Sequence, residues 1–158
     1  MRELLVLAVL ATVSATGGGA IAQPAAPDPV IGAWQLNVSK STYTPGPAPK
    51  SQTRTYSQSA QGIAVTIKTV GADGKETTVQ STYQLDGKDY PVTGTDYDSL
   101  SAKQVDSNTA NFTLKKAGKA VGTIRRTVSK DGKTLTLKSK RTTPKAEKSE
   151  SVTVFDKQ

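Results

Sequence analysis

The stretch TANFTLKKAGKAVGTIRRTVSKDGKTLTLKSKRT, residues 109–142, alternates apolar and polar side chains with a period of two. Phe112 and Leu114 alternate with threonine and lysine, and Leu135 and Leu137 do the same further along. Side chains two residues apart lie on the same face of a β-strand. The pattern therefore predicts three consecutive strands, each with one buried and one exposed face.

Short turns separate these strands from one another and from similar segments before and after them. Asp131-Gly132 suits a tight hairpin, because both central residues of a type I′ turn need a positive φ. The same signal recurs at Gln61-Gly62, Asp73-Gly74, Asp86-Gly87 and Gly118, with Ser107-Asn108 as a sixth candidate. This spacing predicts strands at 31–38, 51–59, 62–70, 76–85, 89–93, 98–105, 109–116, 119–129, 133–143 and 149–156.

We therefore predict an all-β fold, an antiparallel up-and-down barrel of about eight to ten strands. A strand with one apolar face must be covered by its own sheet, either in a closed barrel or in a sandwich. Hairpin connections favour the barrel, because a Greek-key sandwich needs at least one long crossover. The stretch 39–50 carries proline at 45, 47 and 49, which predicts an extended loop about a dozen residues long.

The N-terminus has the features of a secretory signal peptide. Arg2 supplies a positive start, Leu4–Val13 is an apolar run, and Ala20-Ile21-Ala22 before Gln23 fits the A-x-A cleavage rule. About ten apolar residues are too few to cross a ~30 Å hydrocarbon core, so a transmembrane anchor is not expected.

The chain divides accordingly into a signal peptide at 1–22, a flexible linker at 23–30 and a barrel domain at 31–158. Three prolines in the seven residues from Gln23 indicate the linker. We expect the protein to be periplasmic or secreted, and monomeric.

Composition excludes much catalytic chemistry, since the 158 residues include neither cysteine nor histidine. Disulfides, thiolate nucleophiles, Cys/His zinc sites, His-ligated haem and a Ser-His-Asp triad are all ruled out. An enzyme working with tyrosine, lysine and carboxylates alone remains conceivable, but nothing in the sequence places such groups together. We expect a protein that is not an enzyme and that holds neither a cofactor nor a metal.

Gly32-Ala33-Trp34, at the start of the first strand, resembles the G-x-W signature of lipocalins and related calycins. The layout is similar to the short secreted lipocalin-like domains of bacteria, although the chain ends in a strand where lipocalins carry a helix. The resemblance implies a barrel for small hydrophobic or amphipathic ligands, with Trp34 closing its bottom. Arg54-x-Tyr56 resembles the Arg-x-Tyr pair with which fatty-acid-binding relatives hold a carboxylate, though on a different strand.

Strand parity places three arginines on the inner face: Arg54, Arg126 and Arg141. A bare buried charge pays a heavy desolvation penalty, which a ligand carboxylate could offset by a bidentate hydrogen bond. Alternatively, Arg126 and Arg141 lie near strand ends with their heads in water, or a bulge reverses the parity. The predicted ligand-binding residues are Trp34, Arg54, Tyr56, Tyr83, Phe112, Arg126 and Arg141, and the predicted ligand is small and hydrophobic or amphipathic, including acidic compounds.

Charge is concentrated between residues 103 and 148, where thirteen Lys/Arg stand against three acids, within a net charge of +8 for the whole chain. Lys115, Arg125, Lys138 and Lys140 share the outer parity of three consecutive strands. The alternative function is therefore a filled barrel whose basic face binds an envelope polyanion such as anionic lipid, lipopolysaccharide or polysaccharide. A solvated surface that favours solubility explains the lysines equally well. Nucleic acid is not expected, because the face lacks interleaved aromatic residues.

Overall fold

Ten antiparallel strands close into a barrel in the computed structural model, which describes residues 26–143 and 145–158. The strands are β1 (Gly32–Thr44), β2 (Ser51–Ser59), β3 (Gly62–Val70), β4 (Glu76–Tyr83), β5 (Asp86–Thr93), β6 (Ser99–Asp106), β7 (Thr109–Lys116), β8 (Lys119–Val128), β9 (Thr134–Thr142) and β10 (Lys148–Lys157). Each strand pairs with its neighbours in sequence, and β1 closes the barrel by pairing with β10. The predicted all-β up-and-down barrel is confirmed, and it is compatible with a calycin-like architecture.

The signal peptide and the first three linker residues lie outside the described residues. In the part of the chain that the structure covers, no helix is long and apolar enough to cross a bilayer. We call the end of the barrel at which β1 begins its lower end, and the end at which β1 finishes its upper end.

β1 is longer than predicted, because it continues to Thr44 where a loop was expected from residue 39. The register between β1 and β10 shifts between Asn37 and Thr42, after which Thr42 pairs with Val152. The Ser41 hydroxyl accepts a hydrogen bond from the Val154 N–H across this irregularity, at 2.9 Å. A bulge of this kind lets a strand resume pairing after extra residues, so the loop shortens to 45–50.

The apolar faces of the strands meet inside the barrel, as the period of two predicts. Trp34, Tyr83, Leu114, Leu135 and Phe155 are among its fully buried side chains. β4 and β5 share the fewest paired residues, namely Gln80–Thr93 and Ser81–Val92. By contrast, β2 and β3 pair over their whole length.

The end of the predicted linker is packed against the lower end of the barrel, which differs from the expected flexibility. Val30 is fully buried, and its carbonyl accepts a hydrogen bond from the Trp34 indole N–H at 2.7 Å. The Asp28 carboxylate accepts from the Val30 N–H at 2.9 Å and pairs with Arg126. These contacts hold residues 28–30 in place, because they satisfy polar groups that would otherwise be buried without partners.

Candidate functional site

Arg126 points into the barrel, and its side chain is only 3% exposed. Its guanidinium is 2.5 Å from the Asp28 carboxylate, donates to the Tyr83 hydroxyl at 3.2 Å and lies over the Phe112 ring. The alternative prediction, that the Arg126 guanidinium lies in water near a strand end, is therefore wrong. Its charge is already balanced by a carboxylate of the same chain, so Arg126 holds the structure together and is not available to a ligand anion.

Arg141 lies at the upper end, 31% exposed, where it pairs with Asp96 and rests on the Tyr97 ring with 5.0 Å to the centroid. Partial burial acts to raise the pKa of Asp96, but the hydrogen bond and charge of Arg141 outweigh it and hold the pKa below its ordinary value. Asp96 is therefore ionised at neutral pH, and its carboxylate balances the charge of Arg141.

Arg54 differs from both. Among the described residues no carboxylate lies within ion-pair distance of its guanidinium. It donates to the Gln52 side-chain oxygen at 3.0 Å and to the Tyr56 hydroxyl at 3.4 Å, and it stacks over the Phe155 ring at 5.1 Å. All of these partners are neutral, so no negative charge of the described residues compensates the positive charge of Arg54 inside the barrel.

An internal cavity of about 60 Å³ adjoins Arg54. Four predicted ligand-binding residues line it, namely Arg54, Tyr56, Tyr83 and Phe112, whereas Trp34, Arg126 and Arg141 do not. The remaining lining residues are Val65, Ile67, Tyr97, Leu100, Leu114, Ile124 and Leu137. The structure thus brings one cation, three tyrosines and an apolar wall together around one small space.

Trp34 lies below this cavity, fully buried at the lower end. The Lys157 ammonium covers its ring at 5.1 Å, and Val30 holds its indole N–H. Trp34 is therefore packed inside the lower end of the barrel and does not line the space beside Arg54.

The size of the cavity restricts its occupant. Drug-sized ligands occupy roughly 300–1,000 Å³, and an engineered cavity of about 150 Å³ binds benzene. A volume of 60 Å³ is smaller than either. It accommodates a carboxylate with a short apolar part, but not an acyl chain.

Tyr83 forms the floor of the cavity, edge-on to Phe112 at 5.3 Å between centroids. Burial raises the pKa of Tyr83 well above its ordinary value. A neutral Tyr83 hydroxyl therefore persists across the pH range in which most proteins are folded, and it can contact a ligand as a donor.

We expect stability to decline above about pH 10, because the unfolded tyrosine ionises there while folded Tyr83 cannot. Because the pKa of Tyr83 is raised in the folded state, its contribution to the free energy of unfolding is fully present below about pH 10 and is lost as the pH rises. Urea unfolding across an alkaline pH series should show a smaller decline for Tyr83→Phe than for wild type. Tyr90→Phe is the comparison. Partial burial and the hydrogen bond to Asp86 also raise the pKa of Tyr90, but less than full burial raises that of Tyr83, so this variant should reduce the decline less. Equal declines in the two variants would contradict the assignment to Tyr83.

The four predicted polyanion-binding residues differ in their surroundings. Lys115 is half-buried and pairs with Asp89 at 2.7 Å, and Lys140 pairs with Glu150 at 3.2 Å. Arg125 and Lys138 are exposed and make no ion pair with any described residue. The basic face is therefore narrower than strand parity alone indicates.

The sequence analysis did not identify the partners of the interior arginines. Asp28 lies 98 positions from Arg126, and Asp96 lies 45 positions from Arg141. No local pattern connects such positions, so these pairs became visible only when the barrel closed.

Comparison with family models, with curated proteins and with solved structures finds no match.

Proposed function

We propose that this chain is a non-enzymatic binding protein, located in the periplasm or secreted, whose barrel holds a small acidic ligand with its carboxylate at Arg54. The observation that carries the proposal is that Arg54 is an interior arginine with neutral partners, while Arg126 and Arg141 each have a carboxylate.

Arg54 is half-buried, so its positive charge is only partly hydrated. Such a charge destabilises a fold unless an anion or hydrogen bonds compensate it. Arg54 retains unused N–H donors on a planar guanidinium, which matches a carboxylate in bidentate geometry. A ligand carboxylate would supply the charge that the described residues do not.

The shape of the cavity favours small acids over fatty acids. Val65, Leu100 and Leu137 are among its apolar lining residues, and Tyr83 also lines it. About 60 Å³ leaves room for a few carbon atoms beside the carboxylate. Among the predicted ligands, acidic compounds with a short chain therefore fit this cavity best.

The remaining parts of the proposal rest on the sequence. Location outside the cytoplasm follows from the predicted signal peptide at 1–22. The absence of histidine and cysteine argues against general acid–base and nucleophilic catalysis, because the residues most used for both are missing.

Isothermal titration calorimetry with acetate, propanoate and hexadecanoate tests the proposal. We expect the short acids to bind wild type and Arg54→Met to weaken them roughly 10- to 150-fold, because a hydrogen bond to a charged group contributes about 1.5–3 kcal/mol. Arg54→Lys should have intermediate affinity, since it keeps the charge but loses the planar fork.

Lys68→Met is the matched control, because it removes an exposed cation from the neighbouring strand β3. Unchanged affinity in Arg54→Met, with unfolding curves showing that the variant is folded, would rule out the assignment. Hexadecanoate binding more tightly than the short acids would refute the argument from volume.

A further inference from the structure

A groove of about 720 Å³ crosses the outer face of β7, β8, β9, β10 and β1. We call it the outer groove, and we infer that it binds an extended acidic polysaccharide. This site is separate from the cavity at Arg54 and goes beyond the proposed function, since it lies on the opposite face of the sheet.

Strand register arranges the lining of the outer groove in two rows, each of which crosses five strands. The first row consists of Asn111, Arg125, Lys138, Val152 and Thr42, each directly opposite the next. Neighbouring strands lie ~4.8 Å apart, so four intervals give a row about 19 Å long. The surface therefore suits an extended chain better than a compact small molecule.

Two cations stand directly opposite each other in this first row. Arg125 pairs in register with Lys138, both are exposed, and neither has a carboxylate partner among the described residues. Arg125 donates only to the Asn111 side-chain oxygen, at 3.4 Å. Like charges in direct cross-strand pairs are destabilising, and an anionic group bridging the two would relieve the repulsion.

The second row supplies hydroxyl groups beside these charges. It consists of Thr113, Thr123, Lys140, Glu150 and Thr44, again in direct register. Lys140 and Glu150 balance each other at 3.2 Å, so the net charge of the groove comes from Arg125 and Lys138. Threonine hydroxyls both donate and accept hydrogen bonds, which suits a partner that itself carries hydroxyls.

The chemistry of the lining selects among polyanions. An anionic membrane surface is best bound by cations together with exposed apolar side chains, but the large exposed hydrophobics of the described chain, Val38 and Val105, do not line the groove. Single-stranded nucleic acid needs aromatic rings for base stacking, and the outward-facing side chains of both rows include none. A chain of sugars with carboxylate groups matches both the spaced charge and the hydroxyls.

Binding of polygalacturonate to the full-length mature protein tests this inference, measured by calorimetry at low and at physiological salt. We expect binding that weakens as salt rises, and no binding of neutral dextran. The double variant Arg125→Ser/Lys138→Ser should lose affinity roughly tenfold at low salt, because exposed pairs each contribute modestly. Lys68→Ser/Lys75→Ser removes the same charge from exposed positions outside the groove and should leave affinity unchanged.

Thr123→Val removes one hydroxyl at nearly constant volume and charge. It should weaken polygalacturonate, because a hydrogen bond to the sugar chain is lost, and unchanged affinity in this variant would overturn the role given to the row of hydroxyls. Equal losses in the two double variants would mean that net charge alone acts and would overturn the site. Binding to phosphatidylglycerol vesicles without binding to polygalacturonate would overturn it in favour of a membrane. Arg54→Met should bind polygalacturonate as wild type does, so this inference and the proposed function can fail separately.

Discussion

Replacing Asp28 with alanine should lower the free energy of unfolding by about 3–5 kcal/mol, because it leaves a buried arginine without its counter-charge. The Arg126 side chain is 3% exposed, and after the substitution its charge faces Tyr83 and Phe112 alone. The same change removes the acceptor of the Val30 N–H. Urea-induced unfolding measures the loss, which should appear as a lower midpoint at unchanged slope.

Two variants separate the buried pair from a general effect of removing a carboxylate. Asp73→Ala deletes an exposed partner of Lys75 and should cost less than about 1 kcal/mol. Asp28→Leu/Arg126→Met removes both charges and should recover most of the stability, since apolar replacements of buried pairs are often neutral. A loss below about 1 kcal/mol for Asp28→Ala would show that water solvates Arg126 and that residues 28–30 do not seal the lower end.

Substitution of Gly94 by alanine should destabilise the barrel by about 2–5 kcal/mol, from two separate causes. Gly94 has a φ of +83°, where an L residue costs about 1–2 kcal/mol. A Cβ there would also lie 1.8 Å from the Thr78 carbonyl oxygen, so the backbone must move, which adds roughly 1–3 kcal/mol. Gly94 directly follows β5, which shares few paired residues with β4. The displacement of the backbone at Gly94 therefore acts on the least paired part of the barrel.

Gly87→Ala isolates the first cause, the positive φ, from the second, the close approach to Thr78. Gly87 has a φ of +79°, but nothing lies within 4 Å of the position its Cβ would take. This variant should therefore show the conformational cost alone. Thermal unfolding of both proteins measures the difference, and equal destabilisation would mean that the close approach of the Gly94 and Thr78 backbones does not contribute to barrel closure.

The strands were predictable because their signals are local. Side-chain parity in segments such as Phe112–Leu114 depends on positions two apart, and turns such as Asp131-Gly132 depend on adjacent residues. The end of β1 was predicted wrongly because a local irregularity hides the alternation there. The bulge between Asn37 and Thr42 interrupts the period of two, so the pairing that resumes at Thr42 cannot be read from alternation.

The candidate site was only half predictable. Parity placed Arg54, Arg126 and Arg141 on the inner face, but it gave no reason to distinguish them. What separates them is the carboxylate that faces each one, and Asp28 and Asp96 reach Arg126 and Arg141 across the barrel from distant segments. Likewise, parity assigned Lys115 to the outer basic face without showing that Asp89 of β5 neutralises it.

The amino-acid order by itself determined the strands, the turns and the face on which each side chain lies, since these follow from a backbone that repeats every two residues. It also excluded imidazole and thiol chemistry through composition alone. Closure of the ten strands decided which interior cation meets no carboxylate of the described residues and how little space remains beside it. It also decided that Arg125 and Lys138 lie opposite each other on the outer face. Those properties depend on distances between residues far apart in the chain, which exist only once the last strand pairs with the first.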